Sequence, residues 1–250
     1  MLLTTVLRVE RRLLWANCAN VRDLGDLPAA GGTVTRRGAV VRADSLDRLT
    51  VDGWQALEAY GVRTIIDLRN DIERDAEPYT CGLAVVHVPI EDDMDREFVN
   101  EWRPFSTPHY YAAALARWPE RAAAAVRAAA RASAGGVVVH CGMGRDRTGL
   151  VSMLLLALVG VAPETIADDY ALSAGGRPLD IDAMLSTPSR VNARTRRQLE
   201  DDLATERRRR EEMSDRDAIL ATLASIDVAA YLHDAGLDER DLSAVRERLL

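Results

Sequence analysis

Cys141 and Arg147 stand six residues apart in the stretch His140, Cys141, Gly142, Met143, Gly144, Arg145, Asp146, Arg147, Thr148, Gly149. A thiolate can attack phosphorus in line, and a guanidinium offers a planar fork for two equatorial phosphate oxygens. The pair is therefore the minimum for moving a phosphoryl group onto sulfur. Spacing alone carries little weight here, because the chain of 250 residues has 32 basic residues and no lysine, so every one is arginine. The setting makes the pair specific. Residues 136–139 read as a short buried strand and 147–159 as a helix closed by Gly160, with Gly142 and Gly144 between them letting backbone approach an anion closely. Unpaired N–H groups of such a loop and of the first helical turn, with about half a positive charge from the helix dipole, form an anion cup that favours a thiolate at its mouth.

The elements that must hold this loop can be read on either side of it. Residues 38–42, 62–68 and 84–89 have strand patterns, and Thr50 can cap a helix that runs to Tyr60 and stops at Gly61. After an acidic loop of Glu91, Asp92, Asp93 and Asp95, helical patterns cover 108–118 and 119–134, the second opened by Pro119 and stopped by Gly135 and Gly136. Strands alternating with helices predict an α/β fold: a central, mostly parallel sheet flanked by helices, with the site beyond the carboxyl ends of the strands. A short helix is expected over 163–173. From Asp180 to Leu250 the pattern is wholly helical. Residues 190–212 interleave arginine with carboxylates and read as a solvated helix that either projects or lies over the surface. Asp241 is the expected cap of the closing helix.

The length, with 48% hydrophobic residues, suits one domain over 1–250. A net charge of −7 excludes a general nucleic-acid surface and requires any anion site to be local. Three cysteines, Cys18, Cys81 and Cys141, without CxxC spacing indicate neither a disulfide framework nor a metal knuckle, and so a reducing compartment, with no metal and no cofactor expected. Arg8 and Glu10 argue against a signal peptide, and the apolar run 150–162 is too short to span a bilayer. A cytoplasmic location without integral membrane association follows as the expectation.

The decapeptide resembles the phosphate loop of the cysteine-based protein tyrosine phosphatase superfamily, most closely its bacterial branch of atypical tyrosine, dual-specificity and phosphoinositide phosphatases. Asn20, Val21, Arg22, Asp23, Leu24 and Gly25 are similar to that branch's amino-terminal signature, Asp67, Leu68 and Arg69 to its strand-end triplet, and 231–250 to its closing helices. The likeness runs from about residue 17 onward and departs at Arg145, where the branch has lysine, and at Asn70, where it often has serine. It implies the cysteine-phosphatase fold and a phosphomonoester hydrolase, protein-tyrosine or dual-specificity in type, working through a thiophosphoryl intermediate on Cys141. Gly142, Met143, Gly144, Arg145 and Thr148 would bind phosphate together with Arg147, Thr148 also hydrogen-bonding the sulfur, and His140 would brace the backbone behind it.

Asp146 matches the position from which the branch draws its general acid, although Arg145 and Arg147 beside it favour its carboxylate form. Asp92 or Asp93 resembles the mobile-loop acid of other cysteine phosphatases, and Asp67 is a further candidate. Residues 176–212 occupy the place of the branch's lid and are otherwise a surface hairpin. Substrates left open are phosphorylated protein, phosphoinositide and small metabolites. Rival readings of the same cup are a catalytically silent phosphate-binding module, for which a residue should be missing, and sulfur transfer, for which a six-residue loop with an arginine fork fits less well.

Overall fold

The computed structural model describes residues 11–74, 79, 82–102, 107–175 and 196–250. Five strands form one sheet in the order β1-β2-β5-β3-β4. They are β1 (Arg22–Asp23), β2 (Val40–Ala43), β3 (Val62–Asp67), β4 (Ala84–His87) and β5 (Gly136–His140). All neighbours are parallel except β1, which runs antiparallel to β2. The sheet is thus mostly parallel, as the alternation of strands and helices predicts. β5, with every residue buried, reads as the run Gly-Val-Val-Val-His because a parallel strand covered on both faces has no polar side.

The helices are α1 (Val51–Ala59), α2 (Arg96–Trp102), α3 (Tyr111–Arg117), α4 (Pro119–Arg131), α5 (Asp146–Leu158), α6 (Pro163–Ala171), α7 (Arg196–Glu212), α8 (Asp215–Ser225), α9 (Val228–Asp234) and α10 (Glu239–Leu249). Thr50 caps α1 as expected, its Oγ1 accepting from the Gly53 N–H at 3.2 Å. Apolar all round, α5 is buried along nearly its whole length. α8 packs on α6, and α10 packs on α4.

Several sequence expectations shift. β2 starts at Val40 rather than Gly38, and an unexpected two-turn helix, α2, follows the acidic loop, its Phe98, Val99 and Trp102 sharing one face at helical spacing in a run too short to stand out in the sequence. α4 stops at Arg131, short of the two glycines, because Arg248 of α10 donates to the carbonyls of Ala132, Ser133 and Gly135 and satisfies them outside a helix. The cap of α10 is Asp238, which accepts from the Asp241 N–H at 2.8 Å; Asp241 itself is buried and pairs with Arg131 at 2.7 Å. The 176–195 part of the expected lid and Cys81 lie outside the described residues. No described helix is long and apolar enough to cross a membrane.

Candidate active site

The decapeptide leaves the carboxyl end of β5 between β2 and β3, so the segments that follow those two strands wall it on either side. Its backbone is held from behind, one carbonyl at a time. His140 Nδ1 donates to the Cys141 carbonyl at 3.2 Å, and the Ser45 N–H to that of Gly142 at 3.0 Å. Asn20 Nδ2 reaches the Met143 and Gly144 carbonyls, both at 3.0 Å, and Arg42 Nη2 those of Gly144 and Arg145 at 3.0 and 3.3 Å. Tyr111 donates to the Asp146 carbonyl at 2.5 Å. Every carbonyl from Cys141 to Asp146 therefore has an outer partner. The N–H groups of Gly142, Met143 and Gly144 make no hydrogen bond among the described residues. A run of amides without acceptors, opening onto the amino end of α5, is a concavity built for an anion.

The two loop glycines differ in kind. Gly144 has φ +66°, and a Cβ there would fall 2.5 Å from the Ala43 carbonyl, so the fold demands glycine. At Gly142 a Cβ would meet nothing nearer than Arg147 Nη2 at 3.7 Å, so the fold does not require glycine at that position.

Cys141 is 2% exposed and sits among the core residues at the base of the cup. Thr148, the next residue but one beyond Asp146, has a fully buried hydroxyl with no partner among the described residues; the hydrogen bond to sulfur that the resemblance implies is not formed here. Arg147 turns its Nη1 and Nη2 to the carboxylate of Glu73, with Nη2–Oε1 at 2.8 Å, and its Nε lies 3.6 Å from Glu91 Oε2. Arg145 Nε lies 3.3 Å from both oxygens of Asp146. Met143 is exposed at the rim. Burial and the nearby Asp44 push the Cys18 thiol up to about 12, which leaves that cysteine an unreactive neighbour.

A family model for tyrosine phosphatases matches residues 13–250. The chain belongs to the tyrosine phosphatase family. It is 30% identical over 167 residues to a provisionally named tyrosine-protein phosphatase of Cupriavidus necator, covering 63% of this chain and 61% of that protein. It is 32% identical over 164 residues to a tyrosine-protein phosphatase of Nostoc commune, covering 62% of this chain and 56% of the relative. The triple specificity protein phosphatase PtpB of Mycobacterium tuberculosis matches at 25% identity over 92% of this chain and 96% of its own length. The chain thus spans about three fifths of the first two relatives.

In this member of the tyrosine phosphatase family the carboxylates near the loop divide by environment. Burial would raise Asp67, but hydrogen bonds and charge from Arg69, with His140 nearby, bring it down to about 2. Arg69 and Arg74 hold its Oδ2 at 2.9 and 3.1 Å. Asp67 is an ion at neutral pH and has no proton to give, which removes it as an acid. Asp92 binds Arg121 at 2.9 Å, and Asp93 is exposed; the residue of that acidic loop which faces the cup is Glu91. Asp146 is 6% exposed, and burial raises its pKa despite Arg145, Tyr170 and Arg147. The flanking arginines favour its carboxylate form, as expected, but desolvation opposes them and is the larger influence.

His140 is wholly buried, its pKa lowered by burial, and its Nδ1 donation to Cys141 leaves Nε2 to accept from Tyr79 at 3.0 Å. That is the bracing part expected of it. Beneath the loop, Arg11, Arg22 and Arg42 converge on Asp169 of α6 at 2.8, 3.1 and 2.8 Å. Arg22 also donates to Asn20 Oδ1 at 2.9 Å, fixing the amide that carries the Met143 and Gly144 carbonyls. On the far side α7 lies against the molecule. Its Glu206 is buried and close enough to Arg145 to act on it, and Arg209 donates to the Trp102 carbonyl at 2.7 Å. Among the described residues no group of three or more His, Cys, Asp or Glu is arranged to hold a metal ion.

Sequence reasoning missed Glu73, Glu91 and Asp169 as parts of the site. Glu91 was visible as a member of the acidic loop, but one loop carboxylate looks like another until its neighbours are known. Gly149 carries a further expectation. A Cβ there would lie 2.6 Å from the Tyr111 hydroxyl and 2.9 Å from the Tyr170 ring, and Tyr170 donates to Asp146 Oδ1 at 2.9 Å. Gly149→Ala should lower stability by about 1–3 kcal/mol, seen as an earlier midpoint in denaturant, and should lower activity by displacing Asp146.

Proposed function

We propose that the chain is a phosphomonoester hydrolase of the protein-tyrosine or dual-specificity type. The observation that carries this reading is the loop of outward carbonyls and unbonded amides with Cys141 at its base and Arg147 beside it. In the first step the Cys141 sulfur attacks phosphorus, the bond from phosphorus to the leaving oxygen breaks, and Asp146 gives that oxygen its proton. In the second step water attacks the phosphocysteine, Asp146 takes a proton from it, and the S–P bond breaks to release phosphate. Arg147 and the loop amides carry the charge of the transferring group throughout. Arg145 and Thr148 complete the phosphate contacts in this scheme, Thr148 through its unpartnered hydroxyl.

The test is hydrolysis of an aryl phosphate by the purified protein in excess chelator. Turnover in chelator is expected; its absence, or release of thiocyanate from thiosulfate and cyanide in its place, would overturn the reading. Assignment of the acid is tested by a leaving-group series. Asp146→Asn should lose about 10²–10³-fold on alkyl phosphates and far less on good leaving groups, whereas Asp92→Asn should follow the parent; the reverse ranking would move the role to the acidic loop.

The relatives are named as tyrosine and triple specificity phosphatases, which supports phosphorylated protein as substrate. Comparing phosphopeptides with phosphoinositides and small phosphate esters separates the substrate classes. We read 1–250 as a single catalytic unit, supported by a core cluster that runs from Leu24 to Leu249. The packing of α7 beside Arg145 supports a covering role for the segment around it. A reducing, cytoplasmic setting is supported by the need for a free Cys141 thiol.

A further inference from the structure

Arg147 is held between two carboxyl groups. Glu73 takes the Nη1 and Nη2 end and is itself fixed by the Asn70 N–H at 3.0 Å. Glu91 faces the Nε side at 3.6 Å. A phosphoryl dianion needs an edge of the guanidinium that presents two N–H groups. With the terminal edge occupied by Glu73, the edge left for the substrate includes Nε, where Glu91 stands.

Glu91 is 5% exposed, and the fully buried Tyr110 donates its hydroxyl proton to Oε1 at 2.8 Å. The charged groups around it are Arg147 and Asp146 of α5, Glu73 from the segment after β3, and Arg121 of α4, which donates to the Glu91 carbonyl at 3.0 Å. A dianion arriving at Arg147 would add further negative charge to this and draw the guanidinium away from Glu91.

We propose that Glu91 is an internal stand-in for the substrate's phosphoryl group: it balances the Nε edge of Arg147 and takes up a proton when a tetrahedral dianion displaces it. This rests on the reading of the loop as a phosphate site, and makes Glu91 a positioning residue for Arg147. Its surroundings suit the role. Burial raises the Glu91 carboxyl to about 7, with Glu73 and Asp146 pushing the same way against Arg147 and Tyr110, so it can gain or lose a proton near neutrality at little cost.

The experiment uses Cys141→Ser protein, which removes the sulfur's own titration, and tungstate, a tetrahedral dianion that stays ionised across the range. Calorimetry in buffers of different ionisation enthalpy counts the protons. Binding at about pH 8 is expected to take up a proton and at about pH 6 almost none, with affinity about tenfold weaker at the higher pH. Glu91→Gln in the same background should abolish the uptake and flatten the pH dependence. Tyr110→Phe, which removes a donor to the carboxylate, should move the onset of uptake to higher pH without abolishing it. Uptake unchanged by Glu91→Gln, or an affinity lowered equally at every pH as a purely structural role predicts, would overturn the proposal. Failure of tungstate to bind at any pH would overturn the phosphate-site reading as well.

Discussion

Cys141→Ser should abolish turnover of an aryl phosphate, with a loss on the order of 10⁵-fold in kcat, while leaving the protein folded and able to bind tungstate. The hydroxyl is nearly the size of the thiol and its site makes no side-chain hydrogen bond among the described residues, so the change removes nucleophilicity and little else. The cup should survive because its backbone is held through Asn20, Arg42, Ser45, His140 and Tyr111, none of which touches the sulfur through these bonds. Steady-state kinetics and thermal unfolding check the two halves together. Activity retained within tenfold would assign the nucleophile elsewhere, and Cys18, whose thiol is pushed up to about 12, is not equipped to replace it.

Asp169→Asn should be the most damaging single change to stability. Arg11, Arg22 and Arg42 all place their guanidinium groups on this one buried carboxylate, which is 2% exposed. Burial alone would raise its pKa, but the three arginines hold it far below the ordinary carboxylate range. The surplus of positive charge shows on Arg22, which burial and then Arg42 lower to about 10. Removing the carboxylate leaves three buried cations without a counterion, a loss of about 3–5 kcal/mol, or roughly 10 °C in Tm for a chain of this size.

The pH dependence has a definite sign. A carboxyl with a depressed folded pKa stabilises fully above its unfolded value of about 4 and loses that contribution as the pH falls below it. The parent and Asp169→Asn should therefore differ most above about pH 5 and converge in acid. A constant difference down to low pH would mean that packing, not charge, is what Asp169 supplies. Activity should fall along with stability, because Arg42 and Asn20 reach from this cluster to the loop.

The phosphate loop was legible because its whole logic is local. A buried strand, glycines and a helix start lie within about twenty consecutive residues, and each signal survives without knowledge of the rest. The mostly parallel sheet was legible for the same reason, through alternation of short apolar runs with helices. Glu73 and Asp169 were not, because nothing in their own neighbourhoods marks them, and Glu91 stood out only as one carboxylate of an acidic loop. Glu73 sits in a single turn after β3, and Asp169 occupies an ordinary helical position on α6. Their meaning comes from partners 74 and 127 residues away. Asp146 is a mixed case. The flanking arginines are visible in the sequence, but the burial that outweighs them is made by Tyr111 and Tyr170 from two other helices.

The capture by Arg248 of the carbonyls that follow α4 ties the entrance of β5 to α10, across 113 residues of chain at Gly135. Contacts of such separation close late, after the entropy of a long loop has been paid. A ribosome will have released the Cys141 segment well before α10 exists to seal the strand that carries it. During that interval the thiol lacks the walls that the finished fold puts around it, so the yield of active enzyme should depend on how reducing the environment is while the chain is being made.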